Sequence, residues 1–439
     1  MSVVATPAAR KFTRDVVWSS ASLVTFSASG LAWAILTAHG LGAAGRGNLN
    51  LVSLAVVLAG LVCAAGANYS LPSLLGEGRS SAGELLGAAA VLGSLLNALV
   101  ILVAVVVGAA LTIQAIYGIL IAAMLTLLPV SWVKTVASSL LAARRDFRTL
   151  LVSGLAGQVV QVSGGIALLA TGRMTVGTAV AATTAGAAVT TIALGPTLRR
   201  ELAGDAVRAT RAAVVRIARS GTATIPGVLG QSLNYRLDLL VVAALSGAQA
   251  VGIYGIAQLV SEILLYPALV VGQVLLPRAA QMSREGTAAP AYRIVVALTL
   301  AIGTLLFLIA PFLVRHVFGP EFSEASPALR VLIPGLLALA LWQLATHELV
   351  GRGRLAIMSV SALAGVVVTF LADLVLVPRY NVRGAAIGAT IGYCATALVV
   401  LPLVRRELGY RLRDLLLVRP SDARLVASEL HRLLRWKGA

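Results

Sequence analysis

The stretch SGLAGQVV at residues 153–160 returns 208 positions later as SALAGVVV at 361–368. Downstream, VGTAVAATTAG at 176–186 is answered by RGAAIGATIGY at 383–393, an offset of 207. Upstream, Gly47 and Pro72 are answered by Gly252 and Pro277, an offset of 205. One such match in a chain rich in Ala, Gly and Val carries little weight. Three in order, at nearly one offset, point to a duplicated unit. Each copy holds six long apolar runs. An even number of crossings returns a chain to the side it left, so the copies share one orientation. They are expected to be related by an axis along the membrane normal.

Composition sets the solvent. Of 439 residues, 59% are hydrophobic and 12% charged, with mean hydropathy +0.93. A soluble chain of this length carries far more charge. Runs of about 20 apolar residues recur, enough to span a bilayer core. The short alternating segments of a β-barrel are missing. The expected fold is therefore an all-α polytopic membrane protein with about twelve transmembrane helices, at 17–39, 49–71, 85–107, 115–138, 150–170, 176–195, 224–246, 251–276, 294–315, 329–350, 356–378 and 384–404. They form two six-helix bundles with a central cavity between the halves. Between 85 and 141 apolar character hardly breaks, which blurs that boundary. The expected divisions are an N-terminal bundle over 1–205, a C-terminal bundle over 206–404 and a basic tail over 405–439.

The net charge of +18 does not imply nucleic acid. Of 35 Lys and Arg residues, 27 fall in segments on the N-terminal side of the membrane, six on the other, and two, Lys134 and Arg236, within spans. That bias places both termini in the cytoplasm. The basic N-terminus reads as a retained tail, since a full-length span follows it and no small-residue cleavage site stands out. Cys63 and Cys394 both sit in apolar runs and imply neither a disulfide framework nor a metal site. In the tail, Val426, Leu430, Leu433 and Leu434 share one helical face amid basic residues. Binding to anionic lipid and simple solvation both fit that pattern.

Polar residues recur at helical spacing inside the spans. Gln231, Asn234, Tyr235 and Asp238 lie at i, i+3, i+4 and i+7 in the seventh, and Tyr254, Gln258, Ser261 and Glu262 in the eighth. Ser131, Lys134, Thr135 and Ser138 do likewise in the fourth, and Trp18, Ser22, Thr25 and Ser29 form a milder stripe in the first. Gln158, Gln161, Thr369 and Asp373 add to these. Ser and Thr alone fit interhelical hydrogen bonding. An ionisable group facing lipid costs at least about 2.5 kcal/mol, so Lys134, Arg236, Asp238 and Glu262 are expected to face a hydrated cavity. Asp238 and Arg236 are roughly 200° apart on a regular helix. Asp238 is thus placed on the polar stripe, while Arg236 reaches around or contacts a neighbouring helix. His347 and Glu348 read as interface anchors near the end of the tenth span, and Asp373, near Pro378, as interfacial. Arg46, in the first turn, reads either as a guard of the cavity mouth or as a solvated loop charge.

Several stretches resemble one family. GLGAAGRGNLNLV (40–52) is similar to its first external turn, and LDLLVVAALSGAQAVGIYGIAQ (237–258) to its seventh-to-eighth span. FGPEFSEASPALRVLIPG (318–335) and LVPRYNVRGAAIGATIG (376–392) resemble its later external turns. The family is the polysaccharide-biosynthesis, O-antigen-flippase-like branch of the multidrug/oligosaccharidyl-lipid/polysaccharide exporter superfamily. The resemblance implies a bacterial plasma-membrane flippase that moves a polyprenyl-diphosphate-linked glycan from the inner to the outer leaflet by alternating access. Membrane lipids would surround it, and polysaccharide polymerase and glycosyltransferases are implied partners. Gln231, Asn234 and Gln258 suit sugars, and Tyr254 is counted with the candidate substrate-binding residues. A cation such as Lys134 or Arg236 can neutralise a diphosphate, arginine with bidentate geometry, and Arg46 is counted with the candidate substrate-binding residues.

The alternatives are a cation-coupled multidrug antiporter of the same superfamily, a membrane-embedded glycan polymerase or glycosyltransferase, and an inactive scaffold. Many antiporters carry an acidic residue in the first span, where this chain has none after Asp15. A polymerase would show a large external loop or an acidic metal motif. No catalytic residue, cofactor, metal or ATP site is expected, because no Gly-rich loop followed by Lys-Ser/Thr occurs. Asp238 and Glu262 are the candidates for coupling to H+ or Na+.

Overall fold

The computed structural model describes residues 7–64, 71–72, 74–75, 80–110, 115–144, 146–279, 288–352, 355–409 and 415. The tail expected from 405 lies almost entirely outside them. Every regular element among the described residues is helical, as a bilayer demands of an open chain: only a helix meets its own backbone hydrogen bonds. In chain order the helices are α1 (Pro7–Cys63), α2 (Ala82–Ala110), α3 (Ala115–Ala143), α4 (Phe147–Ala170), α5 (Val176–Glu201), α6 (Arg211–Ser261), α7 (Tyr266–Ala279), α8 (Ala289–Leu313), α9 (Ala325–Gly351), α10 (Leu355–Tyr380) and α11 (Val382–Leu408). A short 3-10 turn, Glu262–Leu265, joins α6 to α7.

Ten helical stretches among the described residues are long and apolar enough to cross a membrane. Two of them, Ser22–Cys63 and Ser232–Gly272, are 42 and 41 residues long, about 60 Å, or twice a bilayer core. Each breaks at one glycine. Gly42 has φ 64° and ψ −178°, and Gly247 has φ 79° and ψ −179°. These left-handed, extended angles are open to glycine and strained for other residues. Each break turns one long helix into two arms, so ten stretches supply the twelve crossings expected from the apolar runs. The sequence alone places loops at these points. The structure shows that one residue suffices.

Contacts divide the described residues into two units, each a multi-helix membrane body. The first runs to Ser232 and also takes Ser246–Gly255 and Val317–Glu321. The second takes Leu233–Leu245, Ile256–His316 and the residues from Phe322 onward. The division therefore falls within α6, and the start of that helix packs on the first unit. Ala213 and Ile217 are fully buried against Leu85 and Ala88 of α2.

Within the first unit, α1 runs beside α4. Phe26 fills the notch at Gly154, and Trp33 the one at Gly165. Gly42 and Gly247 lie 205 positions apart, the same offset as Gly47 and Gly252. Gly47 and Gly252 meet: a Cβ on Gly47 would strike the carbonyl of Ala248, and one on Gly252 that of Ala43. Asn50 likewise fills the space over Gly255, again 205 positions away. A residue touches its own repeat mate only where a two-fold axis passes between them. These contacts therefore mark the local axis relating the two turns. A second pair of glycine contacts repeats across the copies, Gly157 with Gly186 between α4 and α5, and Gly365 with Gly392 between α10 and α11. Such small residues let helix backbones approach closely in lipid.

Helix ends are met locally. Asp146 caps α4 through the Thr149 amide, and Thr175 with Thr178 forms a capping box on α5. The first turn of α2 is capped from a distance, where Asp205 accepts from the Gly83 amide at 2.8 Å.

Gly47→Ala should lower stability by about 1–3 kcal/mol, since its methyl meets backbone that cannot yield. Gly30→Ala, where a Cβ meets nothing within 4 Å, should leave the melting temperature of the purified protein unchanged. The Gly83 amide, then the Ser81 hydroxyl, hold the Asp205 carboxyl below its ordinary value of 3.8. A depressed folded value means that the capping stabilisation is fully present above the ordinary value. It is lost as pH falls through the folded one. The melting-temperature gap between wild type and Asp205→Ala should hold from pH 7 to 5 and close below about pH 4.

Candidate functional site

The polar stripe of α6 becomes a network because the chain returns alongside it as the end of α6 and the 3-10 turn. Gln258 is the bridge. Its Nε2 donates to the Tyr235 carbonyl at 2.6 Å and to Asp238 Oδ2 at 3.4 Å. Its Oε1 accepts from Arg236 Nη1 at 3.3 Å. Arg236 also pairs with Glu262 at 3.1 Å. Arg236 thus reaches a neighbouring segment, and the amide of Gln258 links it to Asp238. Asp238 is buried and takes the Leu239 amide at 2.9 Å. Arg236 and Glu262 stay partly accessible, with side chains 42% and 29% exposed. The Tyr235 hydroxyl accepts from Gln343 Nε2 of α9 at 2.7 Å.

The second part of the site comes from α10 and α11. Asp373 is fully buried, and neither of its carboxylate oxygens has a hydrogen-bond partner. Thr369, one turn earlier, buries an unpartnered hydroxyl, and Asn234 an amide with both polar atoms unmet. Asn234 Oδ1 lies over Gly365, which packs against Gly392, which in turn makes room for Thr369. Gly388 makes room for the Asp373 carboxylate. Asp238 lies close enough to act electrostatically on Asp373. Two buried acids, an amide and a hydroxyl gather hard oxygen donors, and among the described residues no cationic side chain pairs with Asp373. That chemistry suits Na+ or a proton. Among the described residues no cluster of His, Cys, Asp and Glu has the make-up of a transition-metal site.

The duplication shows how special this is. At an offset of 205, Asp238 corresponds to Trp33, and at 208, Asp373 corresponds to Gly165. In the first unit that pair is a ring packed into a notch. In the second unit the same places hold two acids.

The other predicted residues lie apart from this network. Lys134 is half-buried on α3 in the first unit, with no hydrogen bond or ion pair among the described residues. Tyr254 is fully buried in the segment that joins the first unit. Arg46 is buried in the turn after Gly42, where its Nη1 donates to Thr37 Oγ1. The side chain of Gln231 lies outside the described residues. Glu348, read from the sequence as an interface anchor, is fully buried between the Tyr292 hydroxyl at 3.0 Å and Arg352 at 2.9 Å. Nearness to Pro378 makes Asp373 read from the sequence as interfacial, whereas the structure buries it fully. Its i, i+4 spacing from Thr369 was the available signal.

Residues 12–283 match the model of the family described as "Polysaccharide biosynthesis protein". The chain belongs to that family. An uncharacterized membrane protein of Methanocaldococcus jannaschii is 26% identical over 177 residues, 38% of this chain and 34% of its own length. The chain thus spans about a third of that curated relative. Among solved structures, the lipid II flippase MurJ in an inward closed conformation matches with TM-score 0.73 at 14% identity, over 91% of this chain and 89% of its own. An inward-facing multidrug resistance MATE transporter of the MOP superfamily matches with TM-score 0.64 at 16% identity, over 87% and 94%. A MOP superfamily transporter from Pyrococcus furiosus matches with TM-score 0.61 at 15% identity, over 91% and 95%. These likenesses establish the fold, an all-helical multi-pass membrane fold.

A buried carboxylate without partners costs stability unless a cation meets it. Asp373→Asn should raise the melting temperature of the purified protein in cation-free buffer. It should also abolish any Na+-dependent increase seen in the wild type. An equal Na+ response in both proteins would remove Asp373 from the site.

Proposed function

We propose that the protein is a flippase. It moves an oligosaccharide or polysaccharide precursor, linked to a polyprenyl diphosphate, from the inner to the outer leaflet of a bacterial cytoplasmic membrane. Both termini are cytoplasmic, and the site opens to one face at a time. Membership of the polysaccharide biosynthesis family carries this reading. The chemistry of the polar residues supports it. Sugars need uncharged donors and acceptors, which Gln258, Asn234, Tyr235 and Gln343 offer in the second unit. A diphosphate needs cations. Arg236 is held by Glu262 and Gln258 yet remains accessible, and Lys134 is free of any carboxylate among the described residues. The prenyl chain needs only lipid.

In this reading residues 1–205 and 206–404 act as the two duplicated halves, and the basic tail 405–439 rests on anionic lipid. Polymerase and glycosyltransferases supply and consume the cargo. The Asp238–Asp373 pair supplies coupling to H+ or Na+, which enters as co-transported cargo. No bond is made or broken in the transported molecule. A second reading, a cation-coupled multidrug antiporter, draws on the same acid pair and on the likeness to MATE transporters.

Reconstituted liposomes loaded with a labelled prenyl-diphosphate oligosaccharide separate the two. The flippase should expose the label to an external glycosidase, and Arg236→Ala should slow exposure about tenfold or more, with Arg236→Lys intermediate. Exposure no faster than in empty liposomes, together with Na+- or H+-driven efflux of organic cations, would establish the antiporter instead.

A further inference from the structure

Arg46 and Thr37 form a polar pair in the core of the first unit that nothing in the fold requires. Both are buried, Arg46 at 6% exposure. The Thr37 hydroxyl donates to the Trp33 carbonyl at 2.8 Å, so it meets Arg46 Nη1 with a lone pair. Nε of the same guanidinium is buried without a partner. No ion pair involves Arg46 among the described residues. Glu321 accepts from the Ala43 amide at 3.2 Å.

The duplicated turn shows what the scaffold itself needs. At the offset of 205, Thr37 and Arg46 correspond to Val242 and Val251, both fully buried. The same glycine turn therefore folds with two valines in place of the polar pair. A buried arginine without an acid is costly, and here it is not the price of the turn. With Nη1 held by Thr37, the edge left to a ligand is the one carrying Nε and Nη2. Its two parallel N–H bonds are the donors that a phosphate or carboxylate accepts bidentately.

We infer that Arg46, positioned by Thr37, is a receptor for a phosphate-bearing anion, the diphosphate of the transported lipid. The inference rests on the flippase reading for the identity of the anion. The anion supplies the missing counter-charge, and the cargo is engaged by the first unit at the Gly42 turn. A membrane phospholipid headgroup shares this chemistry and is the competing source.

The test uses the full-length protein in nanodiscs and three probes: farnesyl diphosphate, inorganic pyrophosphate and dioleoylphosphatidylglycerol. Binding is read by native mass spectrometry and thermal shift. Farnesyl diphosphate should bind the wild type, with pyrophosphate competing. Arg46→Lys, which keeps the charge and loses the fork, should weaken binding about tenfold. Thr37→Val should weaken it less. The Thr37→Val/Arg46→Val double variant copies the pair already present in the second turn. It should melt at or above the wild-type temperature and lose the Arg46-dependent binding. Should the double variant fail to fold, the Lys variant carries the comparison. Equal binding of farnesyl diphosphate by wild type and both variants overturns the inference and leaves the flippase reading standing. No binding of farnesyl diphosphate by any form, wild type included, overturns both. Phosphatidylglycerol binding that depends on Arg46 and outcompetes farnesyl diphosphate assigns the site to the headgroup and overturns the cargo assignment.

Discussion

The approach of Gly47 to Gly252 is the constraint on which the first unit depends. The backbones meet where a single methyl would collide with a carbonyl on either side. In lipid no hydrophobic force draws helices together, so close packing and the contacts it permits carry the association. The meeting happens only because Gly42 and Gly247 each turn the chain within one residue, which brings Ser246–Gly255 into the first unit. A wider loop at either place would separate the repeat mates. The segments that follow each turn would then lose their register.

On this shared scaffold the two copies have diverged in charge. Where the first copy packs Trp33 over Gly165, the second sets Asp238 near Asp373. Where the second copy buries Val242 and Val251, the first buries Thr37 and Arg46. Each substitution replaces ordinary packing with a group that is expensive to bury. The acids lie in one copy and the unpaired cation in the other. A duplicated protein that bore only structural demands would keep packing residues in both. In the roles proposed above, the divergence serves two jobs, one for a cationic ligand and one for an anionic one.

Gln258 shows why a stripe is not yet a site. The sequence put Gln258 and Asp238 on polar faces of adjacent spans, and Arg236 off the face of Asp238. The structure joins all three, because one amide carries a donor and an acceptor and each goes to a different partner. The ion pair of Arg236 with Glu262 has the same origin. Both groups were visible as costly charges in apolar runs, but their partnership spans 26 positions. Glu348 and Asp373 follow the same logic: each stands near a span end, which in sequence reads as closeness to water, whereas neighbouring helices cover both.

The amino-acid sequence by itself determined the solvent of this protein, its helical class, the number of crossings and the duplication. These are properties of runs and offsets: about 20 apolar residues per crossing, a polar residue every turn on one face, and one offset repeated in order. Only the tertiary structure decided which polar groups meet. It paired Arg236 with Glu262 and, among the described residues, left Asp373 without a partner and held Arg46 against a hydroxyl with no acid. Periodicity records the face on which a side chain stands but not what stands opposite. The opposite partner is set by where Gly42 and Gly247 turn the chain and how closely the glycine faces let backbones approach. Those are distances between residues far apart in sequence, and no local pattern encodes them.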